Sequence, residues 1–341
     1  MQIVSMANFF IHREFLKISS NFLAFIFLLL ITVGNAIGET GGDLGGVSLQ
    51  AQKILLSNPK SISKGISHNL WENDEQSIHK SQIDWISSVD RLQMDGMHVT
   101  VITPKTYRAT NSQSIAVYIH GGAYVGGVAL DYTGINMAHK LGLKVYSIDY
   151  RLAPEHPFPA GMNDCVVVYR ALLKKYDANQ IVVFGRSAGG GMALATLLKA
   201  RDLELPLPRP VALLSPWTDL TRTGDSYYSN AGRGLISWEG LSKAAEAYAG
   251  EYDRKMPFLS PIYADYKKGF PPTLISTGTR DLFLSNAARL QRVLKRAEIE
   301  VELTVWEGMW HAFDGFYFNG LSEAEESRHE IAEFLLSNLN K

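Results

Sequence analysis

The residues with the clearest capacity for chemistry lie in Gly185-Arg186-Ser187-Ala188-Gly189, a G-x-S-x-G pattern. The run before it, Ile181-Val182-Val183-Phe184, is β-branched and aromatic and reads as a buried strand. The run after it, Met192 to Leu198, reads as a helix. A strand, a one-residue reversal and a helix would hold the serine at the tip of a strained turn, above the sheet and beside a helix N-terminus. Side chains at Gly185 and Gly189 would collide with that strand and helix. The Ala188 amide would then point to where an oxyanion forms. The chemistry on offer is nucleophilic attack by a serine hydroxyl.

A serine hydroxyl is a poor nucleophile until a base takes its proton. Of nine histidines, His311 is the last loop histidine before the final helix, in Gly308-Met309-Trp310-His311-Ala312-Phe313, and suits a base reaching back to Ser187. His156 lies in a turn-rich loop that braces rather than acts, and His329 falls on the solvent face of the last helix. A carboxylate must hold the imidazole tautomer and stabilise the imidazolium. Asp281, in Gly278-Thr279-Arg280-Asp281, leaves the C-terminal end of a neighbouring strand and is preferred; Asp219 and Asp314 compete. Tyr118-Ile119-His120-Gly121-Gly122-Ala123-Tyr124 follows an earlier strand, and its small residues let backbone N–H groups approach a substrate carbonyl. The expected donors are Gly122, Ala123 and Ala188, with Gly121 in reserve. His120 is expected to fix this loop.

These side chains need a scaffold. Val89–Met94, Asp95-Gly96 and Met97–Ile102 form a hairpin signal. Strands are then expected at 115–119, 144–149, 181–184, 211–215, 273–277 and 300–306. Helices are expected at 131–141, 161–176, 188–201, 285–298 and 322–339, the last opened by a Ser322/Glu325 capping box. This alternation predicts an α/β fold, a mostly parallel eight-stranded sheet with helices on both faces and an antiparallel hairpin at one edge. From Thr221 to Pro257 no strand is evident and Glu239 to Tyr248 reads as helix. Helices are also expected at Ser48–Leu56 and Glu75–Ile86. Residues 48–86 and 221–257 are expected to form a helical cap, with Trp71, Trp217, Trp238, Tyr227 and Tyr228 as pocket-lining candidates.

The composition, 46% hydrophobic and 20% charged with net charge −1, is that of a globular protein and offers no basic run for a nucleic-acid partner. The single cysteine, Cys165, excludes an internal disulfide and sits in an apolar helix-like run as a buried structural residue. Residues 1–36 read as a cleavable export signal: Arg13 and Lys17, an apolar run from Phe22 to Val33, then small residues to Ala36. That run falls short of the about 20 residues of a spanning helix, so a membrane anchor is the weaker reading. The expected organisation is a leader at 1–36 and one domain at 37–341, secreted or periplasmic.

From about His98 onward the chain resembles the hormone-sensitive-lipase-like branch of the α/β-hydrolases. The likeness rests on HGGAYVGG at 120–127, DYRLAPEHPFPA at 149–160, GRSAGG at 185–190, SPWTDL at 215–220, GTRD at 278–281 and WHAF at 310–313. The order Ser…Asp…His is that of those enzymes. The resemblance implies hydrolysis of short- to medium-chain carboxylic esters or lactones through an acyl-enzyme, with no cofactor or metal. Three positions depart from the family's pattern: Ala123 replaces a third glycine, Arg186 replaces an acidic residue, and Leu282-Phe283 replaces a proline-containing pair. Arg186 is expected to pair with Glu155. Two other readings are a non-catalytic small-molecule receptor, disfavoured because all three triad positions are filled, and an amidase or peptidase, for which no peptide-anchoring segment is evident.

Overall fold

Asp95 and Gly96 reverse the chain with φ of 47° and 90°, as a two-residue hairpin turn demands. They join β1 (Ile86–Met94) to β2 (Met97–Pro104). The structure is a computed structural model that describes residues 46–56, 83–315 and 320–339. The elements below belong to the unit Val47–Lys341. The expected leader at 1–36 and Trp71 lie outside the described residues, as do residues 57–82 of the expected cap.

After the hairpin, strands and helices alternate as their apolar patterns predict. They run β3 (Ile115–Ile119), α2 (Tyr132–Leu141), β4 (Lys144–Ile148), α3 (Ala160–Leu173), β5 (Ile181–Arg186), α4 (Ala188–Asp202) and β6 (Val211–Leu214). Beyond β6 come α5 (Ser226–Ser229), α6 (Trp238–Ala249), β7 (Thr273–Gly278), α7 (Leu284–Arg296), β8 (Val301–Trp306) and α8 (Ser322–Asn338). A helix α1 (Leu49–Leu56) precedes the hairpin. One sheet carries all eight strands in the order β1-β2-β4-β3-β5-β6-β7-β8. The β1/β2 and β2/β4 pairs are antiparallel and the rest parallel.

Strand alternation divides the core in two. Ile115, Val117, Ile119, Ile181 and Val183 face a cluster with α3, α4 and α7. Ala116, Tyr118, Val182 and Phe184 face the other side, with α2 and α8. The central strands are buried throughout, so a continuous apolar run suits them better than alternation. Cys165 is fully buried in the first cluster, and burial pushes its thiol up, away from a reactive thiolate.

Two local expectations fail. Ile86 opens β1 rather than closing a helix: Lys105 N donates to Trp85 O at 2.8 Å, and Trp85 and Ile86 pack on the α2/α8 side of the sheet. The capping box at the start of α8 does not form, because Ser322 is already the first helical residue and Leu321 holds the cap position. Glu323 instead accepts from Ser48 N at 2.6 Å and Ser48 Oγ at 2.8 Å, tying α1 to α8. Glu325 turns to Arg328 at 2.9 Å. Among the described residues no helix is long and apolar enough to cross a membrane.

Candidate active site

β5 ends at Arg186 and α4 begins at Ala188, leaving Ser187 alone in the reversal at φ 56°, ψ −123°. That conformation is strained for any residue but glycine. It is held from both sides: Ser187 N donates to Leu214 O at 2.8 Å, and Ser187 O accepts from Trp217 N at 2.9 Å. A Cβ on Gly185 would lie 2.4 Å from Gly189 O, and one on Gly189 would lie 2.1 Å from Ile119 O. Both glycines are therefore required by close approach of backbone to backbone.

The 120–127 loop runs alongside. A Cβ on Gly121 would come within 3.2 Å of Ser187 Cβ. Gly122, Ala123 and Tyr124 follow with φ of 122°, 52° and 67°. Successive residues in this region turn their N–H groups into a concave anion-binding surface. Among the described residues no acceptor takes the amides of Gly121, Gly122 or Ala123. Ala188, as the first residue of α4, has no acceptor within the helix for its own amide. Ala123 thus holds a left-handed conformation that a glycine would adopt without strain. His120 braces the loop as expected: its Nδ1 donates to Gly121 O at 2.7 Å, its ring stacks on Tyr150 at 4.3 Å, and Tyr150 Oη donates to His120 O at 2.8 Å.

His311 reaches the serine from the turn after β8. Its Nε2 lies 2.9 Å from Ser187 Oγ and its Nδ1 lies 3.1 Å from Asp281 Oδ1. A carboxylate only accepts, so Nδ1 carries the hydrogen and Nε2 offers a lone pair to the serine hydroxyl. Asp281 is fully buried. Its Oδ1 also accepts from Phe283 N at 2.9 Å and its Oδ2 from Thr277 Oγ1 at 3.0 Å. Burial alone would raise its carboxyl, but the facing His311 and its hydrogen bond, the Phe283 N–H and the Ser215 side chain hold it below the usual aspartate range.

The competing carboxylates are committed elsewhere. Asp219 accepts from Arg289 at 2.7 Å and from Thr221 and Tyr263, and Asp314 accepts from Ser276 and Ser327. His156 and Glu155 are exposed, and exposed His329 pairs with Glu333 at 3.2 Å. Arg186 does not meet Glu155. It is buried and pairs at 3.0 Å with Asp131, the N-cap of α2, whereas Glu155 lies exposed at the surface.

The roles of three contributors escaped the sequence reading. Ser215, at φ 47°, accepts from Ala312 N at 2.9 Å and so fastens the residue after His311. Phe283 packs edge-on against the His311 ring at 4.9 Å, with Trp217 stacked behind it at 5.4 Å. Thr277 supports the triad carboxylate. The SPWTDL motif was the available signal for Ser215, but motif membership does not say which atom a hydroxyl meets. Of the aromatic pocket candidates, Trp217 and Tyr227 are fully buried packing residues, Trp238 is half-buried and Tyr228 is exposed. The 221–257 segment does sit against the triad acid: Asn230 Nδ2 donates to Asp281 O at 2.8 Å and Thr279 O at 3.1 Å.

Comparison with known proteins places these observations in a lineage. Residues 116–315 match a family model described as the alpha/beta hydrolase fold. The chain is 31% identical to an esterase of Acinetobacter venetianus over 67% of this chain and 76% of that protein. It is 33% identical to an acetyl-hydrolase of Streptomyces hygroscopicus over 59% of this chain and 68% of that protein. A crystal structure of an esterase from the bacterial hormone-sensitive lipase family superposes with a TM-score of 0.73 at 30% identity, covering 86% of this chain and 99% of the other.

Proposed function

The chain belongs to the α/β-hydrolase family, among its hormone-sensitive-lipase-like esterases, and on that premise we propose that it is a serine hydrolase that cleaves carboxylic esters. One observation carries the reading at the level of residues: an unbroken relay from hydroxyl to imidazole to buried carboxylate, at 2.9 and 3.1 Å. His311 Nε2 takes the Ser187 proton as Oγ bonds to the ester carbonyl carbon. The carbonyl oxygen becomes an oxyanion and rests on the amides of Gly122, Ala123 and Ala188, beside Gly121. Asp281 keeps the imidazole in one tautomer and offsets the charge it gains. His311 then gives the proton to the leaving alcohol as the C–O bond breaks. Water, deprotonated by the same imidazole, attacks the acyl-enzyme, and the acid departs with Ser187 restored.

Short acyl groups are the proposed substrates, supported by the acetyl-hydrolase name of the Streptomyces hygroscopicus relative. The described parts of the expected cap, α1 with residues 221–257, are proposed to frame the substrate entrance, supported by the bonds of Asn230 to the carbonyls of Thr279 and Asp281. Ser187→Ala is expected to abolish p-nitrophenyl acetate turnover with an unchanged thermal transition. Turnover retained by the purified variant would overturn the reading.

A further inference from the structure

Arg186 is adjacent to the nucleophile in sequence, yet its side chain serves the opposite partner of the reaction. The guanidinium is buried, 6% exposed, and among the described residues it meets acceptors on different elements. One nitrogen donates to Asp131 Oδ2 at 3.0 Å and another to Gly315 O at 3.1 Å. Asp131 is itself fixed. It caps α2 through Gly134 N at 2.9 Å and accepts from Tyr118 Oη of β3 at 2.7 Å. The Gly315 carbonyl also accepts from Thr133 Oγ1 at 2.7 Å.

Gly315 belongs to the turn that carries the base. Its N–H donates to Ala312 O at 2.9 Å, and Ala312 directly follows His311. A Cβ on Gly315 would lie 2.3 Å from Arg186 Cδ, so the turn lies on the arginine stem. The same stem borders the oxyanion loop, since a Cβ on Gly121 would sit 3.4 Å from Arg186 Nε. A single side chain therefore touches the base's turn and the oxyanion loop, and its own backbone leads into Ser187.

Stability alone is a poor reason for this arrangement. Burial raises the Asp131 carboxyl despite the facing guanidinium, so desolvation outweighs the attraction between the two. An apolar pair of similar volume commonly serves a fold as well as a buried ion pair. What an apolar pair lacks is a donor for Gly315 at a defined distance.

We propose that Arg186 is a positioning residue of the hydrolase centre: its two-pronged guanidinium locks the Gly315 carbonyl, and with it the His311 turn, to the elbow that presents Ser187. The proposal rests on the ester-hydrolase reading above. It makes Arg186 a determinant of the distance between hydroxyl and imidazole, which governs proton transfer. Substrate binding does not depend on it.

The test is steady-state kinetics of Asp131→Asn/Arg186→Met beside the wild type and Ser187→Ala, with p-nitrophenyl acetate as substrate. Asparagine keeps the α2 cap through its amide oxygen and can donate its amide N–H to the Tyr118 hydroxyl, while methionine fills the arginine stem without leaving a buried charge unpaired. A misplacement of about 1 Å can cost a hundredfold in rate, and the surviving Thr133 bond limits the displacement, so kcat is expected to fall about tenfold or more. KM is expected to stay within about twofold, and the rate of Ser187 labelling by a fluorophosphonate to fall in parallel with kcat. A folded double variant with wild-type kcat would overturn the proposal. If the double variant does not fold, Arg186→Lys decides: one ammonium cannot reproduce the fork, so a lowered kcat at constant KM supports the role and an unchanged kcat overturns it. A wild type without Ser187-dependent turnover would instead overturn the hydrolase reading, so the two failures are distinguishable.

Discussion

His311 takes its tautomer from Asp281, its ring orientation from Phe283 and its backbone position from Ser215 and the turn to Gly315. The triad itself was legible in the sequence, because each member follows a strand and lies in a short motif whose mechanism is known. Its supports were not. Ser215 meets the turn after β8 because β6, β7 and β8 succeed one another in the sheet, and a local reading does not reveal strand order, while Thr277 meets Asp281 from four residues upstream on β7, a contact that depends on how the turn folds back. Arg186 was singled out, but the partner assigned to it was Glu155 rather than Asp131, the N-cap of α2. The carboxyl of Asp281 gives a pH test at this scale. Its native pKa lies below that of the unfolded chain, so the ionised form favours folding. That stabilisation is present above the unfolded-chain value and is lost as pH falls through the lower native value. Asp281→Asn is therefore expected to lower the melting temperature at neutral pH, and the deficit is expected to close in acid. A deficit of constant size across that range, measured by thermal unfolding in a buffer series, would contradict this assignment.

The elbow and the oxyanion loop depend on backbone contacts that no side-chain pattern encodes directly. Strand and helix positions followed from apolar periodicity almost to the residue, since both faces of the sheet are covered and every central strand is buried. The reading failed where tertiary contacts intervened, in the helix expected to end at Ile86 and in the capping box expected at Ser322 and Glu325. The need for glycine at 185 and 189 was readable because a strand entering a helix through one residue leaves no room for a Cβ. Gly189→Ala tests it. The added carbon would face two carbonyl oxygens, Ile119 O at 2.1 Å and His120 O at 2.3 Å. Overpacking typically costs about 1–3 kcal/mol where side chains can adjust, and backbone oxygens adjust less. The control is Gly250→Ala, where φ is 56°, ψ is −129° and nothing lies within 4 Å, so only backbone strain of about 1–3 kcal/mol applies. Gly189→Ala is expected to be the more destabilised of the two by thermal unfolding, and to lose esterase activity. Equal transitions in the two variants would contradict the close-packed elbow.

Across the whole molecule, the sheet brings together residues separated by 124 positions, Ser187 with His311, and by 30, Asp281 with His311. Doubly wound topology makes this meeting possible: parallel strands β5, β7 and β8 all end on the same edge, and the loops that leave them share one crevice. The hairpin lies at the far edge of the sheet, and of the helices on its faces α4 meets the chemistry through the amide of Ala188. The alternation of strands and helices made this architecture readable, whereas the fit of the expected cap over the crevice depends on packing that sequence periodicity does not specify. The central claim is that this convergence makes Ser187 the acyl acceptor. The direct measurement is acid quenching of the protein during turnover of p-nitrophenyl acetate, followed by peptide mass mapping. The account predicts one acetyl group on the peptide containing Ser187, absent from Ser187→Ala. Sustained turnover with the acetyl group on another residue, or unchanged acetylation in Ser187→Ala, would contradict it.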